Sequence, residues 1–228
     1  MKFVKAQVNG NDFVIVNSEN CDINSLKVKS IADRVFGIGC DQVVFIKKVS
    51  NDYKVDFFNR DGSYADMCGN GLCAASKYIK KIYQEDSNEI NLLTSKSIYR
   101  SKIEKENVSA FFDMPKKVGN VILTGNKHIV TSSTNLSKLN ELLKVYSDCN
   151  LHFIDIISKN EIRMKSFERG VGWTLACGSG AIAVAFSSNC KGKINIIHEG
   201  GKSVVEILNK QIILTTIPKL VFEGSFYD

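Results

Sequence analysis

Two cysteines of this sequence stand in closely similar surroundings. Cys68 lies in the motif Met-Cys-Gly-Asn-Gly, and Cys177 lies in the motif Ala-Cys-Gly-Ser-Gly. An apolar, alanine-containing stretch follows each motif, and close to half of the 228 residues separate the two cysteines. A short motif that recurs at half-length, with the same kind of segment after it, predicts two similar domains.

Each motif predicts a cysteine placed just ahead of a helix. A thiol there lies at the positive end of the helix dipole, beside unpaired backbone N–H groups, so we expect a lowered cysteine pKa. The glycines allow backbone amides to approach a bound anion without a Cβ atom in the way. Each motif therefore combines a proton-transfer group with part of an anion site.

A pair of such thiols suits the inversion of an α-carbon. The reaction needs a base on one face of the carbon and an acid on the other, and two thiols can exchange these roles in the reverse direction. Because the α-proton is only weakly acidic, the developing charge also needs electrostatic stabilisation in a dry site. Either cysteine alone is as well explained as a buried packing residue. The matched pair favours catalysis.

The predicted elements agree with two halves of mixed composition. Apolar patterning predicts strands at 14–16, 43–46, 55–58, 90–93, 110–112, 121–123, 194–197, 204–207 and 212–215, and helices at 26–35, 72–83, 136–145 and 180–189. Residues 181–186 are apolar on every face, so the last helix is predicted to be buried.

The predicted fold class is α+β, with two similar domains related by a pseudo-twofold axis. Each domain is expected to be a mixed or antiparallel sheet wrapped around a central helix. The first is predicted over residues 1–114 together with 216–228 and carries Cys68; the second is predicted over 115–215 and carries Cys177. We expect the active site in the cleft between them.

Composition and charge argue against several other classes of protein. The hydrophobic fraction of 44% and the charged fraction of 24% are those of an ordinary globular protein. The net charge of +6 is scattered among acidic neighbours, so no nucleic-acid partner is expected. No apolar run is long enough to span a bilayer, and no signal-peptide pattern opens the chain. We therefore expect a cytoplasmic protein without a membrane partner.

The cysteine and histidine spacings do not indicate a metal site. The seven cysteines include no Cys-x-x-Cys pair, and none of the three histidines has a zinc spacing with two cysteines. The sequence also contains no glycine-rich dinucleotide fingerprint. We expect neither a metal nor an organic cofactor, and most of the cysteines should be buried packing residues.

The sequence resembles the diaminopimelate epimerases, which interconvert LL- and meso-diaminopimelate without pyridoxal phosphate. The resemblance runs nearly end to end and is strongest over residues 59–71 and 168–180. It implies the diaminopimelate epimerase fold, a role in lysine and peptidoglycan precursor biosynthesis, and a small-molecule amino-acid substrate as the binding partner. A homodimer is compatible with the sequence, which leaves the oligomeric state open.

The resemblance also implies a set of site residues. Its catalytic pair falls on Cys68 and Cys177. The implied substrate-binding residues are Asn11, Gln42, Asn59, Gly69, Asn70, Asn126, Asn150, Glu168, Arg169, Gly178 and Ser179, and the implied supporting residue is His128. Arg169 would pair with the distal carboxylate, which its planar guanidinium suits. Asparagines can satisfy both the amine and the carboxylate of an amino acid.

Two departures from the family pattern bear on the choice of substrate. Trp173 stands where the family usually has glutamate, and Cys73 stands where arginine is usual. One alternative is therefore a racemase of the same fold that acts on another amino acid, such as histidine. Proline racemases carry Cys-Gly-His where this chain has asparagine at position 70. A more distant alternative is a non-catalytic thiol redox or binding protein, which would not need Arg169 or the asparagines.

Overall fold

The protein is described by a computed structural model that covers residues 1–19 and 24–227. Cys21 lies outside these described residues. The chain forms two compact units, the first made of residues 1–110 with 217–228 and the second of residues 111–216. Both units combine a strand-rich sheet with few helices, which confirms the predicted α+β class. No helix within the described residues is both long enough and apolar enough to cross a membrane.

The first unit is a mixed sheet with two helices. Its strands are β1 (Lys2–Val8), β2 (Asn11–Asn17), β3 (Gln42–Val49), β4 (Asp52–Asn59), β5 (Tyr64–Ala65), β6 (Glu89–Leu93), β7 (Ile98–Glu104), β8 (Asn107–Asp113, which runs past the unit boundary) and β18 (Lys219–Ser225); its helices are α1 (Ser25–Ala32) and α2 (Gly69–Ile82). The strand order is β18-β1-β2-β3-β4-β6-β7-β8, with β5 paired to β4. The β2–β3 and β4–β6 pairs are parallel and the others antiparallel.

The second unit has the same architecture. Its strands are β9 (Lys116–Val118), β10 (Val121–Leu123), β11 (Lys127–Ser132), β12 (Asn150–Ser158), β13 (Glu161–Glu168), β14 (Gly172–Thr174), β15 (Gly192–Ile197), β16 (Lys202–Ile207) and β17 (Gln211–Thr216); its helices are a 3₁₀ segment (Ser133–Lys138), α3 (Leu139–Val145) and α4 (Gly178–Ser187). The strand order is β9-β10-β11-β12-β13-β15-β16-β17, with β14 paired to β13.

The two units repeat one topology strand for strand. In the second unit only β11–β12 and β13–β15 are parallel, and these pairs occupy the same places in the order as β2–β3 and β4–β6 of the first. In each unit a short strand and then a helix follow the fifth strand of the order, which is β4 in the first unit and β13 in the second. The repeated motif in the sequence is therefore the local sign of a repeated fold.

One central helix anchors each unit. Helix α2 contacts strands from both ends of its sheet, including β18, β1 and β7, so the sheet curves around it. Helix α4 contacts β10, β11, β12, β15, β16 and β17 in the same way. Its residues from Gly178 to Ala185 are all buried, which confirms the prediction of a buried helix from its all-apolar surface.

Some element boundaries differ from the predicted ones. Helix α1 ends at Ala32 rather than at residue 35, because the Asp33 carboxylate accepts hydrogen bonds from the N–H groups of Val35 and Phe36. The helix predicted over 136–145 divides into the 3₁₀ segment and α3. Half of the strands that the described residues form were not predicted, namely β1, β5, β7, β9, β11, β12, β13, β14 and β18. In β12 and β13 the polar residues His152 and Ser166 are buried, which obscures the apolar signal.

Candidate active site

Cys68 is the N-cap residue of α2. Its backbone is extended, with φ −138° and ψ 115°, and its Sγ accepts a hydrogen bond from the Gly71 N–H at 3.3 Å. A sulfur that accepts from a helix-terminal amide is well placed to carry negative charge.

Glycine at position 71 is required for close packing of this helix start. A Cβ atom there would lie 2.6 Å from Cε1 of Phe57, a buried residue on β4. The glycine therefore lets the first turn of α2 pack closely against β4, and this packing positions Cys68 relative to the sheet.

Two predicted substrate-binding residues of the first unit meet beside this helix. Asn70 is buried, and its Nδ2 donates to Asn11 Oδ1 at 3.3 Å. The Oδ1 atom of Asn70 is buried without a hydrogen-bond partner among the described residues. Because a buried unsatisfied carbonyl oxygen costs free energy, it marks a place where a ligand donor such as an ammonium group would fit.

A second pair of predicted residues shows the same feature. Gln42 Nε2 donates to Asn59 Oδ1 at 2.9 Å, and the Asn59 amide donates to Ser63 Oγ at 3.0 Å. The Oε1 atom of Gln42 is again a buried acceptor for which the described part of the chain offers no donor. The first unit therefore contains two amide oxygens without a hydrogen-bond partner among the described residues, and both belong to residues that the family resemblance assigns to substrate binding.

A charged network holds Asn11 in place. Its Nδ2 donates to Asp41 Oδ2 at 3.0 Å, and Arg34 bridges Asp41 to Asp12 through hydrogen bonds of 2.8 to 3.1 Å. Lys5 completes the network by donating to Asp12 at 2.6 Å. Burial alone would raise the pKa of Asp12, but the hydrogen bonds from Arg34 and Lys5 outweigh it and lower that pKa. No motif of the sequence indicates this network, since its residues come from β1, β2, the segment after α1 and the segment before β3.

Cys177 is the N-cap residue of α4, in the second unit. Its Sγ is buried and donates to Glu168 Oε2 at 3.2 Å, and it lies 3.6 Å from Ser179 Oγ. The other oxygen of Glu168 accepts from Thr174 Oγ1 at 2.6 Å. The thiol is thus held against a carboxylate whose orientation β14 fixes.

The expected lowering of the cysteine pKa is wrong for Cys177. Burial raises its pKa well above the ordinary value, and the charge of Glu168 raises it further. Hydrogen bonds from Ser179 and from the Gly180 amide act in the opposite direction but do not outweigh these effects. In this structure Cys177 is therefore the protonated thiol.

The remaining predicted residues of the second unit lie around β11, β12 and the end of β13. Asn150 Oδ1 accepts from the Arg169 N–H at 2.9 Å. The Arg169 side chain is exposed, and no carboxylate among the described residues forms an ion pair with its guanidinium. Asn126 lies exposed in the β10–β11 turn, and the structure does not join its side chain to the other predicted residues.

His128 is fully buried on β11 and contacts a second buried histidine that the sequence analysis did not single out. Its Nδ1 lies 2.8 Å from Nε2 of His152, whose Nδ1 lies 3.0 Å from Ser166 Oγ. Burial lowers the pKa of His128 to about 3 and that of His152 well below its usual value, so both rings are neutral. No sequence spacing would have revealed this chain of contacts, since it crosses three strands.

The repeated topology makes the candidate residues of the two units equivalent. Each pair occupies the same place in its sheet or at the start of its central helix. The equivalent pairs are Asn11 with Asn126, Gln42 with Asn150, Asn59 with Glu168, and Cys68 with Cys177. Among these four pairs only one differs in charge: the residue nine positions before the cysteine is the amide Asn59 in the first unit and the carboxylate Glu168 in the second.

Solved structures of other proteins share this fold. A phenazine biosynthesis protein of the PhzF family from Bacillus anthracis matches with a TM-score of 0.77 at 13% identity, over 100% of this chain and 99% of that chain. A hydroxyproline epimerase from Agrobacterium vitis matches with a TM-score of 0.74 at 11% identity, over 98% and 91% of the two chains. These likenesses show a shared two-domain α+β fold.

Sequence relatives give the family. The diaminopimelate epimerase family profile matches residues 3–118. The diaminopimelate epimerase of Campylobacter jejuni strain 81116 is 30% identical over 247 aligned residues, which cover 99% of both chains. That of Methanococcus maripaludis is 30% identical over 274 aligned residues, with the same coverage. The chain belongs to the diaminopimelate epimerase family and is an isomerase of the epimerase class.

Proposed function

We propose that this enzyme epimerises LL-diaminopimelate to meso-diaminopimelate with Cys68 and Cys177 as its base and acid, and without a cofactor. The observation that carries the proposal is the carboxylate beside one of two equivalent thiols. Each sulfur is bonded by a backbone amide of the helix start, Gly71 for Cys68 and Gly180 for Cys177, and the Cys177 thiol also donates to the Glu168 carboxylate, at the position where the first unit has Asn59. One sulfur is prepared to receive a proton and the other to give one.

The proposed reaction moves one proton off the α-carbon and another onto it. Cys68, as thiolate, removes the α-proton and becomes a thiol, and the electron pair left on the carbon is delocalised into the α-carboxylate. Cys177 then delivers its proton to the opposite face of the carbon and becomes a thiolate. Atoms and charge balance, and the reverse reaction exchanges the two roles. The mechanism requires both thiols to reach one α-carbon.

The surroundings of the thiols support stabilisation of the intermediate. The N-terminal turns of α2 and α4 offer backbone amides from Gly69, Asn70, Gly178 and Ser179, which we propose bind the α-carboxylate. The open Asn70 oxygen suits the α-ammonium group. Preorganised donors of this kind commonly account for about 2.7–4 kcal/mol each in transition-state stabilisation.

The choice of diaminopimelate rests on two supports. The relatives that match over 99% of this chain are named diaminopimelate epimerases. A substrate with a second amino-acid end needs a partner for its distal carboxylate, and the exposed Arg169 guanidinium carries no ion pair with the described carboxylates. An Arg–carboxylate pair is frequently bidentate and provides orientation as well as affinity.

The decisive experiment follows deuterium incorporation at Cα in heavy water, with the purified enzyme and separate samples of LL-diaminopimelate, proline, hydroxyproline and histidine. We expect exchange and conversion with LL-diaminopimelate, in chelator and without pyridoxal phosphate. Cys68→Ala and Cys177→Ala should abolish conversion, whereas the matched control Cys190→Ala, a half-buried cysteine just after α4, should retain it. Full activity of Cys177→Ala would refute the mechanism, and turnover of histidine alone would identify a racemase with another substrate.

A further inference from the structure

The second unit contains a buried polar layer that the equivalent layer of the first unit lacks. Matching strand registers make His128, His152 and Ser166 equivalent to three residues of the first unit, which are Phe13, Val44 and Phe57. All six side chains are buried. The fold therefore accommodates an apolar layer at these positions.

A buried polar layer carries a cost that an apolar layer does not. Each ring nitrogen and hydroxyl must lose its water and find a partner inside the protein. Since the first unit folds without these groups, the requirement for them in the second unit is not architectural. This points to a task specific to the second unit, which is the unit that holds Cys177 and Glu168.

The polar layer forms one line of contacts under the start of α4. His152 and Ser166 face each other across β12 and β13, and their side chains are 3.0 Å apart. His152 continues the line to Nδ1 of His128 at 2.8 Å. A Cβ atom on Gly180, three residues after Cys177, would lie 2.3 Å from Cε1 of His152, so the imidazole supports the first turn of the helix directly.

The line of contacts fixes where its protons lie. The only acceptor within hydrogen-bonding distance of the Ser166 hydroxyl among the described side chains is Nδ1 of His152. If Ser166 donates there, the neutral ring of His152 carries its proton on Nε2 and donates it to Nδ1 of His128. The neutral ring of His128 then carries its own proton on Nε2. The reverse order would leave the Ser166 hydroxyl proton buried without an acceptor.

The line of contacts ends at Nε2 of His128, which is buried and has no hydrogen-bond partner in the described part of the chain. An N–H group buried without an acceptor destabilises the protein, and a ligand oxygen can remove that penalty. A carboxylate oxygen, the strongest acceptor that an amino acid provides, is the matching chemistry.

We propose that Ser166 and His152 are positioning residues that hold His128 as its Nε2–H tautomer, so that His128 donates a hydrogen bond to a carboxylate oxygen of the bound amino acid. The contact with the substrate rests on the proposed function. The tautomer does not, because it follows from contacts within the second unit alone.

The tautomer is tested by long-range ¹H–¹⁵N correlation spectra of the intact protein labelled with ¹⁵N-histidine. The chain has three histidines, so the spectrum is simple. We expect His128 to show a single Nε2–H form in the wild type and a mixture of both tautomers in Ser166→Ala. The matched control is Ser203→Ala, since Ser203 bonds the third buried histidine, His198, at 3.0 Å. That control should leave the His128 signals unchanged.

Conversion of LL-diaminopimelate measures the consequence for catalysis. We expect kcat/KM to fall roughly tenfold in Ser166→Ala, to recover in Ser166→Thr, which keeps the hydroxyl, and to stay near wild type in Ser203→Ala. The double variant His152→Val with Ser166→Phe copies the apolar pair of the first unit and covers the case in which single variants fold poorly. It should fold, lose the tautomer preference of His128, and lose activity at least as strongly as Ser166→Ala.

Three results would overturn the proposal. They are an Nδ1–H form of His128 in the wild type, an unchanged tautomer in Ser166→Ala, and full activity in a variant whose tautomer has become mixed. A wild type that does not convert diaminopimelate would instead contradict the proposed function, and the spectra would still decide the tautomer.

Discussion

The thiol of Cys177 donates to the Glu168 carboxylate over 3.2 Å, whereas the residue equivalent to Glu168 in the first unit is Asn59. A carboxylate beside a thiol favours the protonated form, because the thiolate would place two negative charges side by side. The amide at position 59 carries no charge. The two halves of the repeated fold therefore differ in the charge at this equivalent position, which supports the complementary roles proposed for Cys68 and Cys177.

Replacing Glu168 by glutamine should lower the pKa of Cys177, because it removes the neighbouring negative charge. The pKa should remain above the ordinary thiol value, since burial is its largest cause. Ser179→Ala should shift it in the opposite direction, because the Ser179 hydroxyl favours the thiolate. The pH dependence of Cys177 alkylation, followed by peptide mass spectrometry in a Cys68→Ser background, measures both shifts. If Glu168→Gln and Ser179→Ala shifted the pKa of Cys177 equally and in the same direction, this assignment of causes would be wrong.

Removing Arg34 should weaken both stability and substrate binding. Arg34 holds Asp12 and Asp41, and Asp41 in turn holds Asn11. We expect Arg34→Gln to raise KM and to lower the free energy of unfolding by about 1 kcal/mol at neutral pH, a modest value because the side chain is 46% exposed.

The stability effect of Arg34→Gln should vanish in acid. Asp12 has a lowered pKa in the folded protein, so its contribution is present above its unfolded pKa and is lost as the pH falls through the folded value. Urea denaturation at neutral and acidic pH measures this. Arg100→Gln, which breaks the exposed pair with Glu89, is the matched control and should change KM little. An equal rise in KM in both variants would exclude a positioning role for Arg34.

Acid should destabilise the protein partly through its buried histidines. Burial lowers the pKa of His198 from 6.5 to about 4. Below pH 6.5 this histidine therefore binds a proton in the unfolded chain but remains neutral in the folded chain until the pH approaches 4. The contribution of neutral His198 to the free energy of unfolding is therefore complete above pH 6.5, and it declines as the pH falls towards 4. The expected loss at pH 4.5 is about 2–3 kcal/mol.

A His198→Asn variant isolates this effect. Its free energy of unfolding should lie below that of the wild type at pH 7.5, because a buried partner of Ser203 is lost. The difference should narrow by about 2–3 kcal/mol at pH 4.5, since asparagine does not titrate. Denaturant titrations at the two pH values provide the comparison. A constant difference would show that His198 titrates alike in the folded and unfolded chain.

Mild oxidation should inactivate the enzyme reversibly through a Cys68–Cys177 disulfide. The proposed mechanism brings both thiols to one carbon, and a disulfide needs Cα atoms within about 7 Å. Cys73 is a poor competitor, because it is buried within α2 with its Sγ 3.7 Å from the Val108 carbonyl oxygen. Peptide mapping of the oxidised enzyme identifies the bond, and bound substrate should slow its formation. A dominant Cys68–Cys73 linkage would contradict the two-thiol site.

The sequence alone determined what local motifs can encode. The two Cys-Gly-x-Gly motifs predicted a helix after each cysteine and a repeated fold, because an N-cap residue, its glycines and the apolar run that follows act within a few positions of one another. Both helices form as expected, with Cys68 and Cys177 at their N-caps. The family resemblance and the α+β class followed from the same residues.

Only the tertiary structure decided how these residues are tuned. The sequence predicted a low pKa for both cysteines from the helix dipole, and it could not show that burial and Glu168 raise the pKa of Cys177. Nor could it show that His152 and Ser166 support His128, or that Phe13, Val44 and Phe57 fill the equivalent layer of the first unit. Proton affinities inside a protein depend on desolvation and on partners from distant strands, and strand pairing alone brings those partners together.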